Sequence, residues 1–219
     1  MNQFSGPISR QVQSDRNFVA LTFDDAPDSL FGPVLLDTLA AYNVPATFFC
    51  LGTCVQRNPG LVQRIVGEGH IVANHSYDHA DLTTLTPEQV REEVLRAETL
   101  IQQITSLRTA LFRPPYGALN DEVSQIVLSL GYKIIMWNVD SLDWTGITGP
   151  AVAARVVPNT TAGSIILMHN TCGGRVQAGT ATIQSLPFII EILRAEGYRF
   201  VTIPTLMDIP AYQGVVEPY

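Results

Sequence analysis

The 219-residue chain holds only four histidines, His70, His75, His79 and His169, so each is worth testing for chemistry. His75 and His79 lie four apart in His75-Ser-Tyr-Asp-His79. On a helical turn, positions i and i+4 face the same way, which suits two ligands of one metal ion. The same spacing is common among surface and packing histidines, so it needs a partner to carry weight. Asp24 and Asp25 offer one, because they end the apolar run Phe18–Phe23. Adjacent carboxylates repel unless a cation or a shared proton offsets them, although a solvated turn or helix cap would also hold such a pair. Strand alternation sends neighbouring side chains to opposite faces. The chain must therefore turn at Asp25-Ala26-Pro27 for both carboxylates to reach one pocket. They would approach it from different directions, as one metal ligand and one proton acceptor. Two histidines and one carboxylate leave a fourth position for water, the pattern of catalytic zinc. His169 ends the apolar run Ser164–Met168 and is either a packed residue at a barrel mouth or a general acid/base. His70, after Gly69 at the start of a strand, sits at the opposite end and is expected to be structural or on the surface.

Short apolar runs alternating with helical patterns must position these groups. The predicted strands are Phe18–Phe23, Ala46–Leu51, Ile71–Ala73, Leu111–Arg113, Lys133–Val139, Ser164–His169 and Phe200–Ile203. The predicted helices are Phe31–Tyr42, Val55–Gly67, one opening at Thr86, Asn120–Leu130, Ala151–Val157 and Thr182–Ala195. In the first, Val34, Leu35, Thr38 and Leu39 share a face. Thr86 has Pro87 after it and Gln89 three residues on, a capping-box spacing. Val90, Val94, Ala97, Ile101 and Ile104 then mark the buried stripe. Gly69, Gly131 and Gly197 each follow a helix and precede a strand, as left-handed caps do. About seven β/α units imply a parallel sheet. No glycine-rich phosphate loop follows the first strand, and polar residues end several strands, which favours an α/β fold closed as a barrel.

Composition narrows the classes. With 46% hydrophobic and 15% charged residues, disorder is excluded. Thirteen basic and twenty acidic residues give a charge of −7, and no basic run suggests nucleic acid or an anionic membrane. No apolar run reaches the roughly 18 residues of a membrane span, so no transmembrane segment is expected. The first residues lack a basic stretch followed by an apolar one, so no signal peptide is expected in this chain. Three cysteines, Cys50, Cys54 and Cys172, leave at least one outside any pair within the chain.

Taken together, Thr22-Phe-Asp-Asp-Ala-Pro27, His75-Ser-Tyr-Asp-His79, Arg113-Pro-Pro-Tyr-Gly117, Asp140-Ser-Leu-Asp-Trp144 and Leu167-Met-His169 resemble the five motifs of the polysaccharide deacetylases. This is the NodB-homology group, carbohydrate esterase family 4, and the motifs occur in its order. The resemblance spans residues 17–207, with 1–16 as an N-terminal extension and 208–219 as a tail. It implies a distorted (β/α) barrel of about seven parallel strands. It also implies that Asp24 is the catalytic base and that Asp25, His75 and His79 hold the metal. The metal would be Zn2+, with Co2+, Ni2+ or Mn2+ as substitutes. Arg113 would aim Asp24, the Tyr116 N–H would hold the oxyanion, and Asp143 would partner His169, the general acid. Trp144 and Leu167 would form a slot for the acetyl methyl group, and Tyr77, Tyr116 and Trp144 could stack on sugar rings.

The implied reaction is metal-dependent removal of N-acetyl groups from N-acetylglucosamine units of chitin, chitooligosaccharide or peptidoglycan, releasing acetate. An O-acetyl esterase on acetylxylan would use the same site. A catalytically silent carbohydrate-binding protein would show a broken metal set or a lost acid. The resemblance also implies a monomer exported to the cell wall or beyond. Two features depart from or extend the pattern. The family usually has glycine where Ala26 stands, and glycine relieves a tight turn. Cys172, in the loop Asn170–Arg175 at the barrel mouth, could contact or pair with Cys54.

Overall fold

The computed structural model describes residues 8–172 and 176–214. Its strands are β1 (Ile8–Ser9), β2 (Phe18–Ala26), β3 (Thr47–Cys50), β4 (Ile71–Asn74), β5 (Leu111–Phe112), β6 (Lys133–Ile135), β7 (Val139–Asp140), β8 (Ile165–His169) and β9 (Arg199–Phe200). Its helices are α1 (Gly32–Ala41), α2 (Gly52–Arg57), α3 (Pro59–Gly67), α4 (Pro87–Thr105), α5 (Asp121–Ser129), α6 (Gly149–Asn159), α7 (Val176–Ala195) and α8 (Ile203–Met207). The strands pair in parallel in the order β1-β6-β5-β4-β3-β2-β8-β7, with β9 beside the start of β2. The sheet curls into an incomplete barrel with helices around it, in agreement with the expected distorted (β/α) barrel.

Alternation along β2 decides which residues reach the interior. Val19, Leu21 and Phe23 pack outward against the helices with Leu35, Leu39 and Ile190. Ala20 faces inward, among Phe49, Ala73, Leu111, Ile135 and Ile165. The same inward row continues through Thr22 to Asp24. Its neighbour β8 follows suit, with Ile166 and Met168 outward and Ile165 inward below Leu167 and His169. In register, Ala20 pairs with Ile165, Thr22 with Leu167 and Asp24 with His169. The interior is thus apolar at its base and polar at its mouth. Val12, Ile203, Leu206 and Met207 close the base.

Several elements differ from the sequence expectation. The run Lys133–Val139 is not one strand. β6 pairs with β5 while β7 pairs with β8, so the chain crosses the barrel gap between them. On the way, the Met136 N–H donates to Ser9 O and the Asn138 N–H to Ile165 O. The N-terminal stretch fills the same gap, with β1 beside β6 and the Val12 N–H donating to Gly163 O. The predicted helix Val55–Gly67 breaks at Asn58, because a residue before proline is disfavoured in the helical region. The last predicted strand stops at Phe200, after which Thr202 caps α8. Helix α7 starts earlier than expected, at Val176. On α1, Leu35, Leu36 and Leu39 are buried while Val34 is exposed, so the apolar face is rotated from the predicted one.

Other expectations hold. Thr86 and Gln89 form the capping box, and Val90, Val94, Ala97 and Ile101 are buried, with Ile104 half-buried. Gly69, Gly131 and Gly197 adopt φ of +83°, +88° and +89°. In the tail, Thr109 bridges to Tyr212 and Gln213 bonds to Thr109 O. Residues 1–7, 173–175 and 215–219, parts of the extension, the mouth loop and the tail, lie outside the described residues. Among the described residues, no helix is long and apolar enough to cross a membrane.

Candidate active site

A cavity of about 760 Å3 opens at the C-terminal ends of the strands, lined by residues that follow or end β2, β3, β4, β5, β7 and β8. Its floor is set by a bulge in β2. Phe23 pairs with Phe48, but Ala26 pairs with Cys50, so β2 carries one residue more than β3 over that stretch. Asp25 takes φ +60°, a left-handed conformation that Asp tolerates better than most residues. The bulge defeats strict alternation and brings both carboxylates into one cavity. The left-handed residue is Asp25 itself. Ala26 has no positive φ and is fully buried, so the turn does not need a glycine there.

Asp24 is fixed from behind. Arg113, fully buried, donates from one terminal nitrogen to Asp24 Oδ1 at 2.7 Å and to Thr22 Oγ1 at 2.9 Å. Its other nitrogens donate to Ile135 O and Met136 O, and its guanidinium lies 4.0 Å over the Phe49 ring. A planar guanidinium held by four hydrogen bonds leaves the aspartate little rotational freedom.

His75 and His79 do not sit on a helical turn. Residues 75–80 form a loop in which Ser76 and His79 both have φ of +70°. The two rings still converge, with centroids 5.2 Å apart. Asp25 Oδ1 lies 3.6 Å from His75 Nε2 and 3.4 Å from His79 Nε2. A tetrahedral zinc with bonds of about 2.0–2.1 Å separates its ligand atoms by roughly 3.3–3.4 Å. Asp25 Oδ1 is buried and has no hydrogen-bond partner among the described residues. His75 Nδ1 lies 2.7 Å from Arg113 O, which fixes the tautomer with Nε2 free toward Asp25. Burial, with the neighbouring His75, holds the His79 imidazole below its usual range and favours the neutral form that a cation requires. An orphaned carboxylate oxygen and two imidazole nitrogens at ligand spacing fit a divalent cation.

The opposite wall carries His169. Its Nδ1 lies 2.7 Å from Asp143 Oδ1, and its backbone N–H donates to Asp143 Oδ2 at 2.8 Å. Burial opposes the charged imidazolium, yet the Asp143 hydrogen bond and charge raise the His169 pKa to about 9. Burial likewise opposes the Asp143 carboxylate, and His169 still draws its pKa below the usual range. Both directions describe an ion pair.

The remaining residues fall where the motifs placed them, with one exception. Tyr116, Trp144 and Leu167 line the cavity with Asp24, Asp25, His75, His79 and His169, while Arg113 and Asp143 support it from behind. Tyr77 does not line it. Its ring lies under Arg96 at 3.6 Å and its hydroxyl bonds to Gln56. His70 is buried, and its Nδ1 accepts the Ala46 N–H, a structural role as expected. Cys54 and Cys172 form a disulfide on the cavity wall, and the Cys172 N–H donates to Asp25 O. Sequence reasoning missed Thr182, whose hydroxyl lies 2.7 Å from Asp143 Oδ2, and Trp137 and Arg57 on the cavity wall. Thr182 opens the predicted last helix, 39 residues from Asp143, and nothing local marks it.

A family model for polysaccharide deacetylases matches residues 11–135. The chain belongs to the polysaccharide deacetylase family. It is 36% identical over 205 residues to a peptidoglycan-N-acetylglucosamine deacetylase of Bacillus cereus, covering 94% of this chain and 71% of that one. It is 40% identical over 188 residues to such a deacetylase of Listeria monocytogenes, covering 86% of this chain but only 38% of that one. A chitooligosaccharide deacetylase of Sinorhizobium fredii is 35% identical over 195 residues, covering 85% of this chain and 90% of that one. Among solved structures, a peptidoglycan N-acetylglucosamine deacetylase superposes with a TM-score of 0.91 at 32% identity, covering 94% of this chain and 95% of that one. A carbohydrate esterase family 4 pseudoenzyme from Bacillus anthracis superposes with a TM-score of 0.85 at 30% identity, covering 94% and 70%. A polysaccharide deacetylase fold therefore does not by itself deliver activity, and the side chains must carry that argument. These relatives are named for N-deacetylation, which leaves the acetylxylan esterase reading without support.

Proposed function

We propose that this polysaccharide deacetylase hydrolyses the N-acetyl group of N-acetylglucosamine units in peptidoglycan or chitooligosaccharide and releases acetate. One observation carries the reading. A metal-ligand set faces a buried, aimed carboxylate and a charged imidazole across a single cavity. Asp25, His75 and His79 would hold a divalent cation, with zinc favoured by the donor set and cobalt, nickel or manganese able to substitute. Such a cation supplies polarisation of the amide carbonyl and a bound water of lowered pKa.

The protein's own groups do the rest. Arg113 occupies Asp24 Oδ1, which leaves Oδ2 to accept the proton of the attacking water. Tyr116 lines the cavity, and its backbone N–H would stabilise the charge that develops on the carbonyl oxygen. His169 binds Asp143 through Nδ1, so Nε2 delivers the proton that the departing amine requires. Trp144 and Leu167 receive the acetyl methyl group, while the exposed rings of Tyr116 and Trp144 offer faces for sugars. The relatives' names point to the cell wall, and disulfides persist in oxidising compartments, so we place the enzyme outside the cytoplasm.

Acetate release from peptidoglycan and chitin oligomers by zinc-loaded wild type and Asp24→Asn tests this reading. Wild type should release acetate from one or both, and Asp24→Asn should not. Equal release by the two would overturn the role of Asp24. No release by wild type from either polymer would overturn the function.

A further inference from the structure

We propose that Glu93 is a positioning residue that sets the spacing of the two histidine ligands. The inference rests on the cation reading of Asp25, His75 and His79, and concerns what holds those ligands in place. The His75–His79 loop contains two non-glycine residues in left-handed conformations, Ser76 and His79. Such conformations are unfavourable for residues other than glycine and persist only where the surroundings over-determine them.

The surroundings here are specific. The Gly52 and Thr53 N–H groups donate to Ser76 O at 3.0 Å and Tyr77 O at 2.9 Å. Gly52 permits this approach, because a Cβ there would meet the Tyr77 ring at 2.5 Å. Asn74 Oδ1 accepts the Ser76 N–H at 2.9 Å, and Ser76 Oγ accepts the His79 N–H. That leaves the middle of the turn, Tyr77 and Asp78, whose two N–H groups both donate to Glu93 Oε2, at 3.0 and 3.2 Å. Glu93 thus supplies, from a separate helix, the acceptor for the two backbone N–H groups in the middle of a loop whose Ser76 and Tyr77 carbonyls are held by α2. It is half-buried, and burial pushes its pKa up, so the carboxylate is not a freely solvated surface group. Its position fits the role. It lies three residues after Val90 and four before Ala97, both buried, on the side of α4 that faces the barrel. A charged residue at such a position needs a partner, and its partner is the ligand loop.

Removing the carboxylate frees two adjacent amides and the turn between His75 and His79. Their Nε2 atoms then sample spacings that no single cation can bridge. Groups that orient metal ligands typically contribute 10- to 100-fold to affinity. The test is zinc affinity of the full chain, by competition with a chromophoric chelator, for wild type, Glu93→Ala, Glu93→Gln and Glu93→Asp. Thermal unfolding of the metal-free forms accompanies it. Glu93→Ala should weaken zinc binding 10- to 100-fold, with the metal-free midpoint close to wild type. Glu93→Gln, which keeps an acceptor oxygen at the same reach, should recover most of the affinity. Should Glu93→Ala fail to fold, Glu93→Asp, too short to reach both amides, gives the same reading in a conservative background. Wild-type affinity in the folded Ala or Asp variant would overturn the inference. A wild type that binds no zinc would instead overturn the cation reading on which it rests.

Discussion

On the cation wall of the cavity, Asp25 and His79 keep 21% and 25% of their side chains exposed, whereas on the acid wall His169 keeps 14% and Asp143 none. The bonding differs in the same sense. Asp143 accepts the His169 ring, the His169 N–H and the Thr182 hydroxyl. Asp25 Oδ1 accepts nothing among the described residues. The acid wall is electrostatically complete within the chain, while the cation wall is complete only in its backbone scaffold. A site of this kind separates two jobs. On the proposed reading, one wall has its charge set by the His169–Asp143 pair, and the other would take its charge from a bound cation.

That contrast can be broken from either side. The largest effect is expected on removing the cation. Dialysis against a strong chelator should reduce acetate release to background, and added zinc should restore it, with the acid wall unchanged throughout. Substituting His169→Ala comes next. It should lower kcat by about 10²- to 10⁴-fold, the usual reach of general acid catalysis, while KM and zinc content stay near wild type. Equal losses in kcat and in zinc content would show that the two walls are not independent.

Asp143→Asn sharpens the contrast through pH. His169 has its pKa raised to about 9, against about 6.5 for an unperturbed imidazole. The stability it contributes is fully present below about 6.5 and is lost as pH rises through 9. Asp143, with its pKa lowered, contributes above about 4, the ordinary carboxylate value, and loses that contribution as pH falls through its depressed value. Turnover in wild type should therefore decline as pH rises past about 9. In the variant that limb should move toward 6.5, with a loss of about tenfold at pH 7.5 from His169 protonation alone. An unmoved limb would detach Asp143 from His169 function. The smallest effect belongs to Thr182→Val, which removes one of the Asp143 donors. A few-fold loss of kcat and a small downward shift of the same limb are expected, with zinc affinity untouched.

The contrast also marks where sequence reasoning reached. Asp24 and His169 were each legible as polar residues ending apolar strands, and the two are register partners. The convergence of Asp24 and Asp25 required a turn, and the bulge with Asp25 at φ +60° supplies it. The histidine pair was expected on a helix and lies on a loop instead. There the loop backbone is held by hydrogen bonds to Gly52, Thr53, Asn74 and Glu93, none of which a local pattern announces. Glu93 left a faint signal as an acidic residue on the edge of an apolar stripe. Thr182 left none, because its contact with Asp143 exists only after α7 packs against the turn that follows β7. The split of β6 from β7 was hidden by a largely apolar stretch, since apolarity does not say which neighbour a strand will choose.

The Cys54–Cys172 bond closes a ring of 118 residues. His75, His79, Arg113, Asp143 and His169 lie inside that ring, while Asp24, Asp25 and Thr182 lie outside it. On the chain-entropy account, a ring of this size removes about 5 kcal/mol worth of freedom from the unfolded chain. A domain of ordinary stability has only about 5–15 kcal/mol in total. The third cysteine, Cys50, is buried, and its thiol pKa is pushed up by burial, so it is poorly placed to exchange with the bond. The redox poise around the protein thereby becomes a condition for its fold, and a compartment that keeps thiols reduced would hold this chain much nearer its melting point.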